Sequence, residues 1–440
     1  MKRDSARVLL LALLSGLALG SCRPTTPAPD TVPHSTPDTT GPAPAPAPER
    51  DTSVKVPEED TRALVDGNTA FAWELYHELA TEPGNVFLSP YSVSLALAMT
   101  YGGARGETES EMAKVLHFTL PQDRLHAAFA SLDARLQPSG GREIHGFRLK
   151  SANSLWVQAG YALLPAFTEL VTKRYAAEAA ELDFRSDPDA AADEINEWVK
   201  GKTEKRITGL IPPGSLTPDT RLVLANAVHF IGKWHHQFGK SLTQPGSFTR
   251  LDGEQVEAQM MHQETDLDYA EGDTWQAVSL PYELGGCDMV IVLPRAGRFA
   301  EVEEMLTGPG FSSLVGKIKS RKVRLTMPRF TFTCPYRLND TLIALGMGSA
   351  FGDTADFSGM SSEPGLFITE VRHKAFVRVD EEGTEAAAAT EVGMAGAAPP
   401  MPKPEEPVEF TADRPFVFLI RDRHSGAVLF VGRVMDPTTE

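Results

Sequence analysis

Apolar residues recur along this chain with two different periods, and the change of period falls near residue 221. From about Thr61 onward, Phe71, Leu75 and Leu79 return at the spacing of one helix face. Farther along, Asp187-Pro188 reads as a cap followed by a first-turn proline, Ile195, Trp198 and Val199 form an apolar stripe, and Gly201 is the expected end of that helix. After Arg221 the pattern becomes short apolar runs between turn residues: 222–230, 287–293, 323–332, 367–379, and the pair 416–420 and 428–434. Helix-rich sequence followed by strand-rich sequence predicts an α+β domain.

Upstream of residue 59 neither period is present. Lys2, Arg3 and Arg7 precede an apolar run over 8–19, too short for a comfortable membrane span, which ends in Leu19-Gly20-Ser21-Cys22. The end of this export signal resembles the bacterial lipobox, at which the cysteine is acylated and becomes the new N-terminus. Residues 23–58 are rich in Pro, Thr and Ala and lack any aromatic residue, as in Ala43-Pro44-Ala45-Pro46. Such a composition makes a semi-rigid polyproline spacer. The expected organisation is a signal peptide over 1–21, a linker over 22–58 beginning at lipidated Cys22, and a folded domain over 59–440. That makes the chain an exported lipoprotein facing the periplasm or the cell surface, touching the membrane through its N-terminal lipid only.

Charge and cysteine content narrow the function. At 440 residues and 42% hydrophobic content the chain can bury a large core. Its formal charge of −17, from 59 acidic against 42 basic residues, argues against nucleic acid as a partner, and no dense basic cluster suggests a heparin-like site. Besides Cys22, only Cys287 and Cys334 occur, expected as buried free thiols rather than a disulfide or metal site. His77-Glu78-Leu79-Ala80-Thr81 starts like a zinc-protease helix, but Thr81 stands where the second histidine would have to be. There is no nucleophile elbow, no Walker loop and no dinucleotide fingerprint. Neither an enzyme nor a cofactor is expected.

The stretch that carries chemistry of another kind is Glu381-Glu382-Gly383-Thr384-Glu385-Ala386-Ala387-Ala388-Ala389-Thr390, continuing to Ala398. Alanine favours helices, so a surface helix is one reading. Strand parity gives another: Thr384, Ala386, Ala388, Thr390, Val392 and Met394 share one face, and Glu385 and Glu391 fall on the other. A strand of this kind enters a sheet with a small uncharged face toward the core and its charges in water, at little desolvation cost. Gly383 supplies a permissive pivot.

This run resembles the proximal hinge of inhibitory serpins. Other segments agree in order: Asn85-Val86-Phe87-Leu88-Ser89-Pro90-Tyr91-Ser92, Asn153-Ser154-Leu155-Trp156-Val157, Leu224-Ala225-Asn226-Ala227-Val228-His229-Phe230, Gly232-Lys233-Trp234, His373-Lys374-Ala375, and Asp413-Arg414-Pro415-Phe416. The resemblance implies the serpin fold, with three β-sheets, eight to nine helices and an exposed reactive loop at about 381–409. It implies a monomeric suicide inhibitor that forms a covalent acyl complex with a serine protease. A non-inhibitory binding protein of the same fold is the alternative. It further implies that Ser89, Ser92, Asn226 and His373 form a polar shutter beneath the parting sheet, and that Trp234 sits at the breach above it. Counting the family's usual loop length from Gly383 puts the reactive bond at Ala397-Ala398, with Met394-Ala395 as the alternative. An alanine there suits elastase-like or subtilisin-like proteases and offers no cation to a trypsin-like pocket, whereas Met394 would shift the target toward chymotrypsin-like enzymes.

Overall fold

The first helix begins before its apolar spacing suggests. In the computed structural model, which describes residues 51, 55–137, 146–384 and 406–439, α1 spans Glu58–Leu79, with Glu58, Glu59 and Asp60 in its first turn, where negative charge complements the helix dipole. After β1 (Val86–Leu88), Ser89 caps α2 (Pro90–Tyr101) by accepting from Ser92 N–H at 3.2 Å, with Pro90 in the first turn. Every residue of α2 is buried, as a helix apolar all round must be. There follow α3 (Gly106–Val115), α4 (Gln122–Leu136), β2 (Phe147–Gln158), α5 (Pro165–Tyr175) and β3 (Glu178–Leu182). The folded body reaches back to Asp51, whose N–H donates to the Lys173 carbonyl at 2.8 Å.

Asp187 caps α6 (Pro188–Lys202) as its sequence predicts, but Gly201 lies inside the helix and Thr203 ends it, its hydroxyl bonded to the Val199 carbonyl at 2.8 Å. The strands β4 (Leu222–Lys233), β5 (Gln244–Thr249), β6 (Gln255–Glu271), β7 (Trp275–Pro281) and β8 (Cys287–Pro294) come next. Then come α7 (Phe299–Met305) and α8 (Gly308–Val315). The apolar run 323–332 is two strands rather than one. β9 (Lys319–Pro328) and β10 (Phe330–Arg337) part after Pro328, which lacks an N–H to continue a ladder, and they lie in different sheets. The chain closes with α9 (Asn339–Ala344), β11 (Ile368–Val379), β12 (Gly383–Thr384), β13 (Val408–Thr411), β14 (Phe416–Asp422) and β15 (Val428–Val434).

Nine α-helices are present among the described residues. One sheet has six strands, in the order β10-β11-β12-β4-β2-β3. The other two expected sheets are continuous, because the 17-residue β6 pairs with β7 at one end and with β5 and β9 along the rest, giving nine connected strands. β4 explains why its sequence reads as an unbroken apolar run: Leu222, Leu224, Val228 and Phe230 join the main core with α2, while Val223, Ala225 and Ala227 join a second core under α6. The six-stranded sheet is thus sandwiched between α2 and α6. Cys287 and Cys334 are free and buried, and burial raises both thiol pKa values.

Candidate functional site

Along most of their length β11 and β4 run parallel and paired, from Ile368↔Leu222 to Phe376↔His229. Beyond that rung they part, and the chain leaving β11 turns back into the gap. Asp380 N–H donates to the Gly383 carbonyl at 2.9 Å, closing the turn. Thr384 then pairs with Val379 of β11 on one side and Gly232 of β4 on the other, antiparallel to both. Two residues of a further strand therefore already occupy the mouth of the seam. Gly383 is required by close approach, since a Cβ there would lie 2.0 Å from the Gly232 carbonyl oxygen.

Thr384 has no exposed surface, and its hydroxyl meets the Tyr282 hydroxyl at 2.7 Å. Cross-strand register puts it on the same face as Val379, which belongs to the main core. The inward face assigned by strand parity is therefore the observed one at this residue. The Tyr282 ring stacks on Trp234 with centroids 4.7 Å apart. Trp234 is both packing and latch: its indole N–H donates to the Asp380 carbonyl and its backbone N–H to the Glu382 carbonyl, each at 2.9 Å.

The two acidic residues before the glycine are anchored differently. Burial pushes the Glu381 carboxyl up, but the Arg329 guanidinium, whose Nε–H donates at 2.7 Å, and the Thr243 hydroxyl together outweigh that and hold it below its ordinary value. Glu382 pairs with exposed Lys240. Arg329, Thr243, Lys240 and Tyr282 are absent from the sequence reading, and no local signal marks them, because the fold brings each to the hinge from more than 50 positions away.

Farther down, His373 of β11 and Asn226 of β4 are register partners across the closed seam. His373 Nδ1–H donates to Asn226 Oδ1, and His373 Nε2 accepts from Ser89 N–H at 3.1 Å, which fixes the neutral tautomer. Asn226 Nδ2 donates to Ser92 Oγ at 2.6 Å and to the Ser92 carbonyl at 3.1 Å, and Ser89 Oγ donates to the Leu429 carbonyl at 2.7 Å. All four residues the sequence singles out meet in one network. Asn153 of β2, read only as part of a strand, completes it by accepting from Ser92 Oγ at 3.3 Å and from Asn226. Burial alone lowers the His373 pKa to about 3.

Residues 385–390, both alternatives for the reactive bond (Ala397-Ala398 and Met394-Ala395) and Cys22 lie outside the described residues. Among the described residues there is no cluster of metal-ligating side chains, and no helix is long and apolar enough to cross a membrane.

The described residues thus form a six-stranded sheet between two helical layers, with Gly383 and Thr384 seated in the gap between β11 and β4. The model of the serpin (serine protease inhibitor) family matches residues 66–437, and the chain belongs to that family. It is 39% identical over 438 residues to a serpin-like protein of Thermococcus kodakarensis, covering 99% of each chain. It is also 39% identical to the leukocyte elastase inhibitor of Sus scrofa over 385 residues, 85% of this chain and 99% of that one. Among solved structures, the native state of the thermophilic serpin tengpin matches with a TM-score of 0.78 at 30% identity, covering 87% of this chain and 96% of that one.

Proposed function

We propose that this protein inhibits serine proteases by sacrificing its own loop. The protease's serine attacks a peptide carbonyl in the loop, an acyl-enzyme ester forms, and the distal fragment leaves with a new amino terminus. The freed proximal segment continues from Thr384 down the seam between β11 and β4, separating Phe376 from His229 and then His373 from Asn226, and draws the tethered protease with it. Strand insertion of this kind is a form of β-augmentation, in which main-chain hydrogen bonds to both flanking strands hold the added segment. The observation that carries the reading is that Thr384 is already hydrogen-bonded into register with both flanking strands. Alternation then assigns Ala386, Ala388 and Thr390 to the same core-facing side, and none of them brings a charge.

The similarity to an elastase inhibitor supports a protease with a shallow specificity pocket, and we assign the reactive bond to Ala397-Ala398. The test is to mix the protein with pancreatic elastase or subtilisin and boil the mixture in detergent. A covalent band is expected at the mass of the protease plus this chain less its released distal fragment. Cleavage without such a band contradicts the proposal, as does unaided turnover of a protease substrate. Mass spectrometry of the released fragment is expected to begin at Ala398, whereas a fragment beginning at Ala395 would move the bait to Met394.

The N-terminal assignment is part of the same proposal. Acylation of Cys22 and the proline-rich linker after it hold the inhibitor at a membrane surface as a monomer. The Cys22→Ser variant is expected in the soluble fraction, and its retention with membranes would show another anchor.

A further inference from the structure

Away from the seam, three loops enclose a cavity of about 310 Å3: the turn from β5 to β6, the loop from β8 to α7, and the corner from β13 to β14. Arg250, Arg295 and Arg414 line it against a single carboxylate, Asp413, in a chain whose formal charge is −17. The other walls are largely apolar, with Phe299, Pro294 and Leu251, the last 58% exposed. Cationic donors beside apolar walls are the complement of a ligand with one anionic end.

The guanidinium groups are held in position but not saturated. Arg414 donates through Nε to the Pro294 carbonyl at 2.9 Å and through Nη1 to Asp413 at 2.5 Å. That engages two of its five N–H groups. Arg250 is fixed by Glu254 at 2.9 Å and Asp436 at 2.6 Å, yet its buried Nε–H meets no acceptor among the described residues. Arg295 pairs with Glu271 at 2.9 Å and is 45% exposed. These three carboxylate partners stand outside the cavity lining, so they steady the arginines without filling the space between them.

We propose that this cavity binds a small amphipathic monocarboxylate, its carboxylate received by Arg414 and Arg295 and its apolar body resting on Phe299 and Pro294. Planar guanidinium groups suit a carboxylate through paired N–H donors. The corner after β13 is tied to neighbouring strands: Ala412 N–H donates to the Thr326 carbonyl and Thr249 N–H to the Asp413 carbonyl, at 2.9 and 2.8 Å. Occupancy therefore ties together the three loops that line the cavity.

Calorimetric titration of the full chain with octanoate, octan-1-ol and inorganic phosphate tests this. Octanoate is expected to bind saturably at one site, and the other two at least about tenfold more weakly. The Arg414→Gln and Arg295→Gln variants are expected to weaken octanoate at least about fivefold, and because Arg295 is half-exposed its variant keeps the fold and decides the matter if Arg414→Gln does not. Absence of saturable octanoate binding overturns the proposal, and so does unchanged affinity in both variants. Octan-1-ol or phosphate binding as well as octanoate overturns it too, since one half of the recognition would then be missing.

Discussion

The upper and lower parts of one seam are held by opposite kinds of chemistry. At the mouth, charges dominate: Glu381 on Arg329 and Glu382 on Lys240, with the arginine and lysine partly in water. Lower down, His373, Asn226, Ser89 and Ser92 are fully buried, and the interactions among them are neutral hydrogen bonds. Exposed ion pairs exchange readily with water and contribute little each, whereas a buried network is worth keeping only if every member is satisfied. The seam is thus held by partly exposed charges at its mouth and by a buried network below, an arrangement that suits the proposed strand insertion.

The largest effect is expected from Thr384→Arg. The guanidinium would have to replace a fully buried hydroxyl beside Tyr282 without a partner, at a cost of several kcal/mol. The variant should be cleaved as a substrate, and because Thr384 is already buried before cleavage its native melting temperature should fall as well, whereas Thr384→Ser should keep both inhibition and melting temperature. A normal stoichiometry of inhibition for Thr384→Arg would remove the hinge from the account.

Next in size is Asn226→Ala, which leaves His373 Nδ1–H and Ser92 Oγ short of a partner and should cost about 1–3 kcal/mol. Denaturant midpoints measure the loss, and native gels should show added polymer as the lower seam opens early. An unchanged midpoint would mean that the network does not hold the sheet.

The pH dependence sharpens the contrast. His373 titrates at about 3 when folded, against about 6.5 unfolded, so the unfolded state takes up the proton first. Its contribution is complete above about pH 6.5 and is lost as pH falls toward 3, at up to about 1.4 kcal/mol per pH unit. Buried His126 and His229, each lowered to about 4 by burial, add to the same slope. His373→Gln should flatten part of the fall in urea stability between pH 6.5 and 4; an identical slope would mean that other groups carry it.

The smallest effect belongs to the exposed Lys240–Glu382 pair at the mouth. Removing Lys240 from Glu382 should change stability by less than about 1 kcal/mol, since Lys240 is 63% exposed. Arg329→Ala should cost more, because it strands the buried Glu381 carboxylate with Thr243. Equal losses for the two would erase the distinction between a buried and an exposed anchor.

What could be read from sequence follows the same division. β4 was legible because it is covered on both faces and so reads as a plain apolar run, and the shutter residues were legible through family resemblance. β2 was read only around Asn153–Val157; its start does alternate, with Phe147 and Leu149 buried against half-buried Arg148 and Lys150, but the alternation breaks at Ser151 and is too short to mark the strand by itself. The partners of the hinge were not legible at all. An arginine, a threonine and a lysine on distant turns carry no local signature, and only the fold makes Arg329 the counterion of Glu381. The 323–332 run misled because Pro328 divides two strands of similar composition that serve different sheets.

The account rests on the seam accepting a full strand once the loop is cut. Nicking the protein between residues 390 and 398 and comparing thermal melts of the intact and nicked forms tests that directly. The nicked form is expected to melt more than about 10 °C higher, since each kcal/mol gained moves the midpoint of a large domain by only about 2–4 °C. Native stability would then be kinetic, with the inserted sheet the lower state. Equal melting temperatures for the two forms would contradict strand insertion.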